Sequence, residues 1–168
     1  MKFFCILFIN LAYASAIAQN KIHFLSIKEL DFPSTTDSLQ IKSVKIFASN
    51  TSDFYFSFII DTAQYTHISE GSFHHDLQAF IEGFSSSEAW KYHEREQVDT
   101  TIDNLKGILV HGFKPSKPMS LKEFYIFFTI VESRTCAFIC AAKKEGLANL
   151  RNQSDIFLNT IEFDGKNY

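Results

Sequence analysis

The chain has 168 residues, with 16 Lys and Arg against 19 Asp and Glu and 46% hydrophobic side chains. That length suits a single domain, and that hydrophobic share is enough for a sizeable core. The net charge is −3 and neither sign forms a long block, which argues against the basic face of a nucleic-acid binder.

The first element is a leader, MKFFCILFINLAYASAIAQN. Lys2 opens it, an apolar run follows from Phe3 to about Tyr13, and Ala16-Ile17-Ala18 offers small residues before Gln19. This pattern predicts a signal peptide over residues 1–18 and one domain over 19–168. A membrane span needs about 20 apolar residues, and Asn10 interrupts this shorter run. Cys5 lies at the start of the run, which argues against a lipoprotein. No second hydrophobic segment follows, so no membrane span is expected after cleavage and the expected location is secreted or periplasmic. Without residues 1–18, 15 basic residues face 19 acidic ones, a net charge of −4.

Next come two predicted strands, KIHFLSI (21–27) and LQIKSVKIFA (39–48), with the turn-rich FPSTTDS between them. DFYFSFIID alternates, placing Phe54, Phe56, Phe58 and Ile60 on one face. In GSFHHDLQAFIEGF (71–84), Phe73, Leu77, Phe80, Ile81 and Phe84 recur at helical spacing, in a stripe about 100° wide centred on Phe80. Ser69 or Ser72 can cap that helix. EAWKYHEREQVDT (88–100) reads as a long polar strand with Trp90, Tyr92 and Val98 on one side. NLKGILVHGF (104–113) is the next strand, and KPSKPM is a loop whose prolines forbid pairing. KEFYIFFTIVES (122–133) is apolar on both faces, which suits a central strand covered on both sides. TCAFICAA (135–142) follows. The series after residue 88 favours an antiparallel meander. GLANLRNQSDIFLNTI reads as a second helix, with Leu147, Leu150, Phe157, Leu158 and Ile161 buried, Ser154 the polar member of that stripe and Ile156 on the far side. The expected class is therefore α+β: a curved antiparallel sheet of about six or seven strands, with a middle helix and a C-terminal helix packed on it.

The candidate chemistry is sparse. His74 and His75 are adjacent on the helix, so they cannot share one metal on one face; residues four apart can. His75 lies opposite the apolar stripe and should face water, and Glu82 is too far along the axis to join it. HEREQ (93–97) resembles a zinc-protease motif, but Gln97 replaces the second histidine. On a strand His93 and Gln97 would stand about 13 Å apart. His93 and Arg95 alternating with Glu94 and Glu96 suits a solvent-facing strand with cross-strand charge pairs. Cys136 and Cys140 lie four apart on one strand, about 13 Å, beyond the 7 Å or so that a disulfide spans. They should pack as small apolar residues beside Phe138. The serines of FSSSE (84–88) form no nucleophile elbow, and no glycine-rich phosphate loop is present. Asn50 and Asn152 match the glycosylation sequon, which matters only in a eukaryotic secretory pathway. No catalytic residue, cofactor or metal ligand is assigned; the open question is whether His67, His74, His93 or His111 converge with a carboxylate.

The order of elements resembles the PsbP-like fold family, which includes an extrinsic photosystem II protein and many small secreted bacterial proteins. The carrying features are the early ELDFPSTTD, the middle helix HHDLQAFIEGF, and a long polar strand running into IDNLKGILVHGF with Gly107 at a typical strand position. The aromatic pair FYIFFTIV and CAFICAA follows, and a closing helix enters NTIEF. The resemblance covers about residues 21 to 163. The usual Pro-x-Gly-Trp near the first turn is absent, since FPSTTDS has the proline only. The resemblance implies a binding or assembly factor and carries over no catalytic residue. The expectation is a non-enzymatic secreted or periplasmic protein with an unknown protein or small-molecule partner. The alternative is a secreted hydrolase using histidines brought together by the fold.

Overall fold

A computed structural model describes residues 19–63, 71–87, 91–113 and 121–165. The leader over 1–18, His67, Ser69, Trp90 and the KPSKPM loop lie outside the described residues. The described elements are, in chain order, β1 (Gln19–Phe24), β2 (Ile27–Ile41), β3 (Val44–Asn50), β4 (Phe54–Asp61), α1 (Phe73–Ser85), β5 (His93–Ile102), β6 (Leu105–Phe113), β7 (Glu123–Val131), β8 (Arg134–Ala142), a 3-10 segment (Lys144–Asn149), α2 (Leu150–Leu158) and β9 (Glu162–Phe163).

Nine strands join in one antiparallel sheet, in the order β1-β2-β3-β4-β8-β7-β6-β5, with β9 paired to β2. This corrects the expected α+β class of six or seven strands. The helices are present but short, 13 and 9 residues, and the protein is mostly β. One extra strand comes from the N-terminal third, where three strands replace two, and the other is β9. Leu25-Ser26 and Lys42-Ser43 are two-residue turns, closing Phe24 on Ile27 and Ile41 on Val44. Leu25 and Lys42 take positive φ, 54° and 53°, which side chains of this kind seldom adopt. No Gly, Asn or Asp marks these turns, and the single serine in each is too weak a signal to place them.

The expected turn FPSTTDS is instead the middle of β2, a strand of 15 residues. Opposite it β1 advances from Gln19 to Lys21 while β2 runs from Thr36 back to Asp31, so β2 bulges there. Pro33 sits in the bulge, where its missing N–H breaks no ladder. The bulge also lets β2 change partners. Its first half pairs β1 and β9, and its second half pairs β3.

The meander expected after residue 88 is present as β5-β6-β7-β8. Its outer hairpins turn on Asp103-Asn104 and Glu132-Ser133, all four at positive φ. Two successive left-handed residues match the right-handed twist of the flanking strands.

Strands β4, β7 and β8 are buried almost throughout, because the sheet is covered on both sides. On one face, Phe56, Phe58, Phe127, Cys136, Phe138 and Cys140 pack with Leu150, Phe157 and Leu158 of α2. The Phe58 and Phe138 rings stack at 4.7 Å. Residues Ile22, Leu30, Phe32 and Phe163 of β1, β2 and β9 close over the same cluster. On the other face, Tyr55, Ile59, Phe124, Ile126 and Phe128 pack with Leu77, Ile81 and Phe84 of α1. The free cysteines are buried beside Phe138, as the alternation predicts.

Two wheel positions need correction. Phe80 is half-buried, not central; its ring leans edge-on against Phe128 at 5.6 Å, while Leu77 and Ile81 hold the middle. Leu147 is 38% exposed. It lies in the 3-10 segment, whose three residues per turn break the 100° phase assumed for a single helix. Gly146 is buried there instead, where a Cβ would meet the Asp53 carbonyl oxygen at 2.7 Å. Ser154 is buried and Ile156 is exposed, both as expected.

Candidate functional site

The helix histidines stay apart from any cluster. His75 has 87% of its side chain exposed and stands beside Asp76. His74 Nδ1 lies 3.7 Å from Asp99 Oδ1 of β5, with both side chains mostly exposed. That separation exceeds a hydrogen bond, and a solvent-facing pair of this kind contributes little. His74 therefore lies on the α1 side of the sheet, at the rim of an open depression that also includes Phe73 and Lys106.

The opposite side carries a denser arrangement. It begins with a bulge in β5. Glu94 pairs Gly112 and Glu96 pairs His111, so Arg95 is an extra residue. A bulge of this kind leaves two successive side chains near one face. Consequently Arg95 and Glu96 both serve the α2 face, along with His93. The strict alternation expected for HEREQ is thereby corrected. The bulge also shifts the phase downstream. Tyr92 packs its ring on Phe124 on the α1 face, while Val98 emerges on the α2 side, 45% exposed.

Beside the bulge, β6 and β7 place His111 directly opposite Tyr125. The two rings stack at 4.4 Å, tilted only 11°. Glu123, the first residue of β7, accepts from Arg95 at 2.7 Å through Oε1, and His111 Nε2 lies 2.8 Å from the same oxygen. An ionised carboxylate only accepts, so the contact assigns the proton to Nε2. His111 and Glu123 side chains are 17% and 20% exposed, well sheltered for polar groups. Arg95 also lies over Phe113, 4.9 Å from the ring centre.

The helix α2 completes the row. The Arg151 guanidinium lies 5.0 Å from the Tyr125 ring centre. Its Nε donates to Asp155 Oδ2 at 3.1 Å, one helical turn on. The Tyr125 hydroxyl, and then Asp155, raise the guanidinium's pKa above its ordinary value. Imidazole, phenol and guanidinium thus form a ladder of planar groups, with a carboxylate bonded at each end. Glu96, Val98, Thr100, Leu109, His111, Tyr125 and Arg151 line a cleft of about 190 Å³ beside it.

Of the four histidines in question, His111 meets a carboxylate at a cleft and His74 meets one on the opposite face. His93 packs on Phe113, 5.3 Å between ring centres, and His67 lies outside the described residues. Among the described residues no three His, Cys, Asp or Glu side chains gather at metal-ligand spacing. The hydrogen bond of His111 goes to Glu123, and among the described residues no hydroxyl or thiol is bonded to it. Burial pushes the Cys140 thiol up to about 12 and raises Cys136 as well. Neither sulfur is a nucleophile in that state. The arrangement is suited to holding a polar ligand in planar, pre-oriented contacts.

Sequence reasoning named His111 and missed Arg95, Glu123, Tyr125 and Arg151 as its partners. A signal existed for two of them: Glu123 is the charged head of an otherwise apolar strand, and Arg151 has Asp155 four residues on. Compared with protein-family models and with curated proteins, the chain matches none.

Proposed function

We propose that this protein is an exported, non-enzymatic binding or assembly protein of PsbP-like type, mature from Gln19, with its ligand or partner seated in the cleft between α2 and β5-β6-β7. The ladder of His111, Tyr125 and Arg151 carries this reading. Its imidazole is held before any ligand arrives by the sheltered Glu123 carboxylate and by stacking on Tyr125, while Arg151 is oriented by an exposed pair with Asp155. Fixed donors reduce the entropic cost of binding. The alternative hydrolase needs converging histidines and an activated nucleophile. His74 and His111 stand on opposite faces of the sheet, and the two thiols are buried with raised pKa values. Those observations favour binding over hydrolysis.

Export rests on the leader pattern of Lys2, the apolar run and Ala16-Ile17-Ala18. Among the described residues no helix is long and apolar enough to cross a membrane. The test is recovery of the mature protein from its native envelope fraction, with mass spectrometry of whatever co-purifies. The parent should retain a partner or small molecule that His111→Ala and Arg151→Gln lose, and its intact mass should begin at Gln19. Identical retention by parent and variants would remove the cleft from the proposal. A mass that still includes residues 1–18 would remove export.

A further inference from the structure

Resting on that binding reading, we infer that the cleft takes a small zwitterion of amino-acid size, its carboxylate on the Arg151 guanidinium and its ammonium on the Glu96 carboxylate. The register sets the spacing. Glu96 pairs His111 and His111 pairs Tyr125, so three neighbouring strands present these side chains in one row. Adjacent strands lie about 4.8 Å apart, which puts the Glu96 and Tyr125 backbones roughly 10 Å from each other. Arg151 lies over the Tyr125 end of that row. An anion and a cation thus flank the cleft, with the apolar Val98 and Leu109 side chains in its lining.

The charges at the two ends are available. Glu96 is exposed and makes no ion pair or side-chain hydrogen bond among the described residues. Arg151 commits Nε to Asp155 and also meets the Tyr125 hydroxyl, so a ligand would share its two terminal nitrogens with that phenol. Those nitrogens form the planar fork that matches a carboxylate. Of the other charges nearby, Arg95 is offset by Glu123, whereas Asp155 shares the Arg151 guanidinium. A simple anion in the cleft would face Glu96, and a simple cation would face Arg151. A ligand bearing both signs satisfies the two together. Size points the same way: pockets for drug-sized ligands run to about 300–1,000 Å³, and this cleft holds about 190 Å³.

The test is an NMR titration of the mature protein, following the His111 and Tyr125 ring resonances. The probes are L-alanine, β-alanine and 4-aminobutanoate, which differ in the spacing of their charges. At least one should shift both rings saturably. Its N-acetylated and amidated forms should bind about tenfold more weakly or worse, since each loses one charge-assisted contact. Arg151→Gln and Glu96→Gln should each weaken binding by a similar factor while keeping the parent's urea midpoint. Unmoved rings at the solubility limit of all three probes would overturn the inference, as would equal binding of the charge-blocked forms. A parallel titration with the dialysable fraction of the native envelope separates the two levels. Ring shifts with that fraction alone would sink the zwitterion and leave the binding reading standing. Silence in both titrations would sink the zwitterion and any other small ligand, leaving the binding reading to the co-purification test with a protein partner.

Discussion

Helix α1 offers the sharpest energetic test, because neighbouring positions on it occupy three different environments. Leu77 is fully buried between the helix and the sheet. Leu77→Ala removes three carbon atoms, and at about 0.8 kcal/mol each the lost transfer energy is about 2.4 kcal/mol. The cavity left behind adds to this, within the 2–5 kcal/mol or so found for such truncations. We expect about 3–4 kcal/mol, which for a domain of this size lowers Tm by roughly 6–16 °C. Phe80 is half-buried against Phe128, so Phe80→Ala should lose about half the 3–5 kcal/mol of a core phenylalanine. His75, with its side chain 87% exposed, should lose at most about 0.5 kcal/mol on truncation to Ala. Urea unfolding of the three variants measures the order directly, provided that the slopes agree. A loss at His75 equal to that at Leu77, or a Leu77 loss below about 1 kcal/mol, would refute the two-faced helix and the packing beneath it.

Three further outcomes follow from the packing. A Cβ on Gly107 would stand 2.3 Å from the Phe128 carbonyl oxygen and 2.6 Å from the Phe127 ring. Gly107→Ala should therefore cost about 1–3 kcal/mol or more, whereas Gly83→Ala, with nothing within 4 Å on helix α1, should stabilise by roughly 0.5–1 kcal/mol; urea midpoints decide both signs. Iodoacetamide should leave Cys136 and Cys140 unlabelled in the native protein and label both in urea, since both thiols are buried; rapid native labelling would contradict the central position of β8. Stability should also fall at alkaline pH. Cys140 ionises near its ordinary 9 when unfolded and near about 12 when folded, and burial likewise pushes Tyr92 up to about 12. Unfolding then releases protons above pH 9, so this stability is whole below that pH and is lost between about 9 and 12, at about 1.4 kcal/mol per pH unit for Cys140. Urea midpoints at about pH 8 and about pH 10.5 should show the drop, and Cys140→Ala should reduce it without abolishing it, because Cys136 and Tyr92 still contribute.

Much of the local structure was legible in the residues themselves. The 3.6 period of Phe73, Leu77, Ile81 and Phe84 specifies α1 and its wet face, because a helix must hide one stripe. The doubly apolar FYIFFTIV specifies a strand covered on both sides, and the burial of Cys136 and Cys140 follows from alternation alone. Other features depended on distant partners. Turns at Leu25 and Lys42 carry no Gly, Asn or Asp, and strand pairing holds them at positive φ. Pro33 reads as a turn signal locally, yet β2 continues past it because a bulge there needs no N–H. The mostly-β class was hidden for these two reasons. The cleft was hidden for a third. Its groups come from β5, β6, β7 and α2, and they meet only through strand register, the Arg95 bulge and the docking of α2. Periodicity reports which face a side chain takes within its own element. Only the tertiary structure decides which faces meet, and therefore that His111, Tyr125 and Arg151 stand in one row.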